Sequence, residues 1–173
     1  MAISIEPAQD RHLPAILAIH NDAVLTTTAI WDETPVDLEN RRALLRDRAA
    51  RGYPFLVAVE DGAVLAYASF GDFRAWAGYR HTVEHSVYVH RDHRGRGVAR
   101  LLLPPLIEAA RRLDKHVMIA GIEAANEASL RLHARFGFRE AGRLPEVGTK
   151  FGRWLDLVFL HKRLDTPADV RGA

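Results

Sequence analysis

The chain has 173 residues, 48% of them apolar and 27% charged, with a formal net charge of +2 and no cysteine. That length suits one domain with a proper core, the missing thiols exclude disulfides, thiolate metal sites and cysteine nucleophiles, and so small a positive excess gives no ground for a nucleic-acid partner. No apolar run nears the ~20 residues of a membrane span, and the opening MAISIEPAQDRHLP is broken by Glu6 and Asp10 where a secretory signal would be apolar, so a cytoplasmic protein with no membrane partner is expected.

ISIEPA is a short strand stopped at Pro7. Asp10 is placed to cap a helix running through Ala23, with Pro14 tolerated in its first turn. In TPVD, Thr34 reads as an N-cap, Pro35 as the first helical residue and Asp37 as the partner in a capping box, predicting a second helix to about Arg51. FLVAVEDGAVLAYASF is a hairpin, two apolar runs around Asp61-Gly62, a dipeptide suited to a type I′ turn. TVEHSVYVH (82–90) is the next strand. After a turn rich in glycine and arginine comes a helix to about Leu113, in which Pro104 and Pro105 predict a kink or a break. HVMIAGI (116–122) reads as a buried strand, NEASLRLHARFG as a helix stopped by Gly137, and FREAG and RWLDLVFLHKRL as closing strands. Residues 1–165 form a single domain on this reading, with 166–173 as a loose tail. The order of elements predicts an α/β architecture, a mixed sheet covered by helices.

RGRGVA (94–99) stands between the strand and the third helix. Gly95 and Gly97 let the backbone bend so that several N–H groups converge ahead of a helix starting near Val98. Such unpaired donors favour an anion, commonly phosphate. Arg91, Arg94, Arg96 and Arg100 add positive charge. The plainer alternative is a tight strand-to-helix turn with a solvated basic surface, since neither a Walker loop nor a dinucleotide fingerprint is completed. In TVEHSVYV, alternation puts Val83, His85, Val87 and Val89 on one face and Thr82, Glu84, Ser86 and Tyr88 on the other, more polar face. The valines read as core and His85 as a core histidine. Glutamate is disfavoured in strands, so Glu84 either faces solvent, pairs with a neighbour such as Arg80, or does chemistry. The histidines at 81, 90 and 93 lack ligand spacing on any one element, and no metal is expected.

RGRGVA also fits the R/Q-x-x-G-x-G/A signature of the GNAT superfamily of N-acetyltransferases, with Arg94, Gly97 and Ala99 at the defining positions, and NEASLRLHARFGF resembles the family's second motif. NDAVLTTTAIWDETPVDLENR, GYPFLVA, YASFGDFR, TVEHSVYV and VGTKFGRWLDL are together similar to its phosphinothricin and methionine sulfoximine N-acetyltransferase branch. The resemblance implies the GNAT acyl-CoA N-acyltransferase fold, a mostly antiparallel sheet splayed at the acetyl-CoA site. It implies transfer of acetyl from acetyl-CoA to the α-amine of a small amino acid analogue, by direct attack in a ternary complex. Carried over, the pattern gives the diphosphate to Arg94 and to the backbone of Gly95, Arg96, Gly97, Val98, Ala99 and Arg100. It gives the pantetheine arm to the main chain of Val87, Tyr88 and Val89, which would pair with it like an added strand. Asn126 would bond the arm from the other side, with Ser129 and His133 as further contacts. His133 stands where many members carry a tyrosine that protonates the departing thiolate.

The same resemblance makes Glu84 the general base. An α-ammonium must lose a proton before its nitrogen attacks a thioester, and partial burial would raise the carboxylate's pKa toward the working pH. The Val87 N–H is the candidate donor to the oxyanion. Arg74 would grip the acceptor's carboxylate in bidentate geometry, with Trp76, Thr82 and Val83 nearby. Trp31 is either a wall over the acceptor or ordinary packing. The segment EVGTKFGRWLDL, with Lys150 and Arg153, either reaches the site of a partner subunit in a homodimer or closes as a lid within its own chain. Two competing readings keep the fold: acetylation of a different amine, such as a protein N-terminus or a polyamine, and a non-catalytic CoA-binding module.

Overall fold

Seven strands form one sheet in the order β1-β2-β3-β4-β5-β7-β6; the structure is a computed structural model that describes residues 2–165. The proposed tail, 166–173, lies outside the described residues. The strands are β1 (Ser4–Pro7), β2 (Phe55–Glu60), β3 (Ala63–Asp72), β4 (Thr82–Val89), β5 (Val117–Glu123), β6 (Arg139–Lys150) and β7 (Arg153–Arg163). All neighbours run antiparallel except β4 and β5, which pair parallel over Thr82–Glu84 and Val117–Ile119 only. Beyond Glu84 the two strands part, and the sheet is forked at its centre.

The hairpin turn between β2 and β3 has Asp61 at φ 51° and Gly62 at φ 79°. Both residues are left-handed, as a type I′ turn requires. β3 is buried without interruption from Leu65 to Gly71, because helices cover both faces of the sheet. On one face α3 (Val98–Arg112) and α4 (Glu127–Arg135) cover a core that includes Phe70, Val83, Leu102, Leu106, Met118, Phe138 and Val158. On the other, α1 (Leu13–Thr26) and α2 (Leu38–Ala50) cover a second core of Leu13, Ile16, Ile19, Phe55, Val57 and Tyr67, with Tyr88 packed against it. The face of β4 that carries Glu84 is therefore not simply polar; toward Tyr88 it runs into this second core.

Several local expectations are corrected. Asp10 does not cap α1: residues 10–12 form a 3₁₀ turn, the Gln9 amide donates to His12 Nδ1 at 3.1 Å, and the α-helix starts at Leu13 and runs on to Thr26. Nor does α2 start at Thr34. Asn21 bonds both the N–H and the C=O of Val36, holding that stretch against α1, and Asp37 becomes the N-cap, accepting the Asn40 amide at 2.8 Å. Pro104 and Pro105 do not break α3. The carbonyls they leave unpaired belong to Arg100 and Leu101, on the helix's exposed side, where water can satisfy them. On the buried side, fully buried Leu102, Leu103 and Leu106 hold the helix to the sheet, each worth about 1.5–3 kcal/mol. β6 does not stop near Gly142. It continues to Lys150 through a register shift between Leu144 and Gly148. Pro145 has no N–H for the ladder, and Glu146, at φ 52°, gives its own to Asp156 Oδ1 at 2.8 Å.

Candidate functional site

The fork between β4 and β5 opens into a cleft of about 800 Å³ that ends at the glycine-rich loop, a size ordinary for a cofactor site. Gly95 and Gly97 have φ of 76° and 78°. A Cβ on either would meet nothing within 4 Å, so the left-handed backbone, not space, requires glycine there. Gly97 is the N-cap of α3; the Arg100 amide donates to its carbonyl at 3.1 Å, and the amides of Val98 and Ala99 come too early for the helix's own ladder. Gly95, Arg96, Gly97, Val98, Ala99 and Arg100 all line the cleft, with Arg94 beside them. The charge is arranged differently from expectation. Arg91 and Arg94 both pair with Asp22, and Arg96 pairs with Glu60 at 2.9 Å. Among the described residues only Arg100 of these four makes no ion pair.

One long wall of the cleft is the flank of β4 left unpaired beyond Glu84, with Val87, Tyr88 and Val89 along it. The facing wall is α4. Asn126, Ser129 and His133 all line the cleft. Asn126 Oδ1 caps α4 by accepting the Ser129 amide at 3.1 Å, which leaves both Nδ2 hydrogens and one Oδ1 lone pair for a ligand. Thr27, Thr28, Ala29, Arg131 and Arg135 are also among the lining residues. Sequence reasoning missed them, since no motif marks the threonines or the two arginines.

Glu84 sits at the crotch of the fork. It is half-buried, and burial pushes its carboxyl above the ordinary value while the Arg74 guanidinium pulls it part of the way back. The basic residue that acts on it is thus Arg74. Opposite, a Cβ on Gly121 of β5 would lie 3.1 Å from Glu84 Oε1. The bare glycine gives the carboxylate its slot, and an isolated glycine inside a strand pattern is the signal that could have found it.

The candidate acceptor residues are not all gathered at one point. Arg74 is exposed, lies 4.7 Å over the Phe73 ring, and borders a shallow cavity beside Asp72. Trp76 is 76% exposed. Thr82 is half-buried at the start of β4. Val83 points the other way, fully buried in the core, so its side chain cannot touch an acceptor and only its backbone remains for that role. Trp31 is held from two sides: its indole N–H donates to the Thr28 carbonyl at 2.9 Å, and its six-membered ring lies directly on Gly148.

Lys150, 1% exposed, donates to the carbonyls of Val24 and Ile30, and the Phe151 amide donates to Glu33 Oε1 at 2.8 Å. Burial lowers the Lys150 pKa while Glu33 and Asp32 hold it up. Residues 148–151 therefore fasten the loop between α1 and α2 within the chain.

At the floor of the cleft His133 meets His85, their Nε2 atoms 3.2 Å apart. Burial lowers the pKa of both, His85 to about 3 with His133 adding to the effect. Among the described residues no group of three or more histidine or acidic side chains could hold a metal ion, and no helix is long and apolar enough to cross a membrane.

Residues 16–138 match the acetyltransferase (GNAT) family. The chain is 57% identical over 166 residues to the L-methionine sulfoximine/L-methionine sulfone acetyltransferase of Pseudomonas aeruginosa, which covers 95% of this chain and 96% of that one. It is 41% identical over 165 residues to the phosphinothricin N-acetyltransferase of Alcaligenes faecalis, covering 95% and 84%. Among solved structures, yncA from Salmonella typhimurium with its cofactor acetyl-CoA matches at a TM-score of 0.97 and 50% identity over 100% of both chains.

Proposed function

The chain belongs to the GNAT acetyltransferase family and is an acetyl-CoA-dependent N-acetyltransferase, and we propose that its acceptor is the α-amine of a small amino acid analogue of the methionine sulfoximine, methionine sulfone or phosphinothricin type. The observation that carries this reading is the slot at the fork: a half-buried carboxylate, Glu84, whose Oε1 lies 3.1 Å from where a Cβ on bare Gly121 would stand, with the Arg74 charge acting on it.

The residues of the cleft fit acetyl-CoA. Left-handed Gly95 and Gly97 turn the first-turn amides of α3 toward one spot, which suits a diphosphate. Arg100 is free to approach it, and Arg94 and Arg96 can do so by leaving Asp22 and Glu60. The open flank at Val87–Val89 suits the amides of an extended arm, and Asn126 Nδ2, Ser129 and His133 face it from α4. Bound there, acetyl-CoA supplies an acetyl thioester as the electrophile. Glu84 accepts the proton of the acceptor's ammonium group, and burial raises its pKa in the direction that helps a carboxylate act as a base. The Val87 N–H is the donor for the thioester oxygen. Arg74 holds the acceptor's carboxylate, with Thr82 and the exposed Trp76 beside it and Trp31 as a wall.

The β6–β7 hairpin leaves Leu144, Val147 and Trp154 43%, 52% and 67% exposed. This supports a homodimer through that hairpin, to be read by light scattering.

The test follows free CoA release with phosphinothricin, methionine sulfoximine, methionine sulfone and ordinary amino acids as acceptors. The analogues are expected to stand well above the ordinary amino acids. Flat rates across the panel overturn the acceptor assignment and leave the family intact.

A further inference from the structure

His85 and His133 are 6% and 4% exposed, and together they determine which nitrogen carries which hydrogen. His133 Nδ1 lies 2.7 Å from the carbonyl oxygen of Ser129, one turn back in α4. A carbonyl can only accept, so Nδ1 bears the hydrogen. Burial keeps both rings neutral at ordinary pH, and a neutral imidazole has one N–H. His133 Nε2 is therefore a lone pair, and the hydrogen shared across the 3.2 Å contact belongs to His85 Nε2. His85 Nδ1 is then a second lone pair, and it is buried without a partner. The remaining ring neighbour of both histidines is Phe138, 5.5 Å and 5.2 Å away between centroids, which offers no hydrogen-bond donor. An apolar residue at position 85 would fill the same core without stranding an acceptor.

We propose that His85 is a positioning residue for the coenzyme cleft, fixing His133 in its Nδ1–H tautomer and in one ring orientation. Both nitrogens of His133 are then engaged, so the ring offers the cleft a fixed carbon wall and has no N–H free for the departing thiolate. That thiolate leaves unprotonated by this side chain and takes its proton from solvent. The inference rests on the reading of the cleft as the acetyl-CoA site.

Long-range ¹H–¹⁵N spectra of the uncomplexed protein at neutral pH test it directly, since they report the hydrogen on each ring nitrogen. Nδ1–H for His133 and Nε2–H for His85 are expected; Nε2–H on His133, or a doubly protonated ring, overturns the proposal. His85→Phe removes the donor, and His133 is expected to lose its single tautomer while the Kd for free CoA, read by calorimetry, rises about tenfold, roughly 1.4 kcal/mol. His85→Gln returns an N–H near the Nε2 position and is expected to restore both. An unchanged His133 spectrum and an unchanged Kd in His85→Phe overturn the role. Should His85→Phe fail to fold, the wild-type spectrum and His85→Gln decide. Wild-type protein that binds no CoA sinks the reading of the cleft instead, and the spectrum still judges the histidine pair.

Discussion

Gly148→Ala tests how the acceptor wall is held. A methyl at this position would sit 2.1 Å and 2.2 Å from Cε3 and Cζ3 of Trp31 and 3.1 Å from its Cδ2. Carbon atoms in contact rest at about 3.5–4.0 Å, so the indole must retreat by roughly 1.4 Å. The strand cannot absorb the shift, because Gly148 is in register with Leu155 and Lys150, two residues on, is anchored to the carbonyls of Val24 and Ile30. Retreat breaks the bond from the indole N–H to Thr28, about 0.5–1.5 kcal/mol net, and adds an overpacking cost of about 1–3 kcal/mol. The overpacking cost falls on folding stability, whereas loss of the indole's seat, at most about 1.4 kcal/mol of binding, is expected to raise KM for the acceptor up to about tenfold in steady-state kinetics at saturating acetyl-CoA. Gly142→Ala is the control. It lies on the same strand, has nothing within 4 Å of its would-be Cβ, and should behave as wild type. An acceptor KM within twofold of wild type for Gly148→Ala refutes Trp31 as part of the acceptor site.

Gly121→Ala brings a methyl to 3.1 Å from Glu84 Oε1, so the carboxylate must shift by a few tenths of an ångström. Because a positioned base contributes about 10²–10⁴ in rate, kcat is expected to fall about tenfold with a displaced acid limb in its pH profile; an unchanged profile refutes the slot. Glu84→Gln should keep CoA binding, lose turnover and melt at a higher temperature at neutral pH. A carboxyl whose pKa is raised by folding above 4.5 contributes fully below that value and loses the contribution as pH rises through the folded pKa, and glutamine lacks the loss. The gain should vanish in melts near pH 4, and a lower melting temperature at pH 7 refutes the burial argument. His85 and His133 act in the opposite sense. Their folded pKa values are lowered from 6.5, so the stability they confer is present above pH 6.5 and drains as pH falls, at about 1.4 kcal/mol per pH unit for each proton bound only by the unfolded chain. Urea titrations between pH 7 and 4.5 read that slope, and a flat line refutes it.

Much of the architecture was legible because local chemistry dictated it. Asp61-Gly62 could close only a primed hairpin turn, and Gly97 before an amphipathic run could only start a helix. What escaped depended on partners distant in sequence. Thr34 is a sound cap on local grounds, yet Asn21 claims Val36 and moves the helix start to Leu38. The arginines of the loop read as free cations because Asp22 and Glu60 lie far away in the chain. Pro145 looks like the end of a strand until Asp156 is seen to take the Glu146 amide. In the site, the motif residues along the cleft were readable from spacing and resemblance, whereas the Gly121 slot and the seat of Trp31 on Gly148 exist only once strands and loops are packed side by side.

The carboxylates that hold Arg91, Arg94 and Arg96 bear on which anions the loop favours. A short anion meets three guanidiniums already paired with Asp22 and Glu60, and of the four only Arg100 without an ion pair among the described residues. On the proposed reading of the cleft, a diphosphate that continues into an extended amide chain gains the β4 flank as well, which offsets the exchange of partners. On that reading the acidic residues set a threshold that favours a longer guest over inorganic phosphate, and comparing the Kd of phosphate with that of CoA measures it.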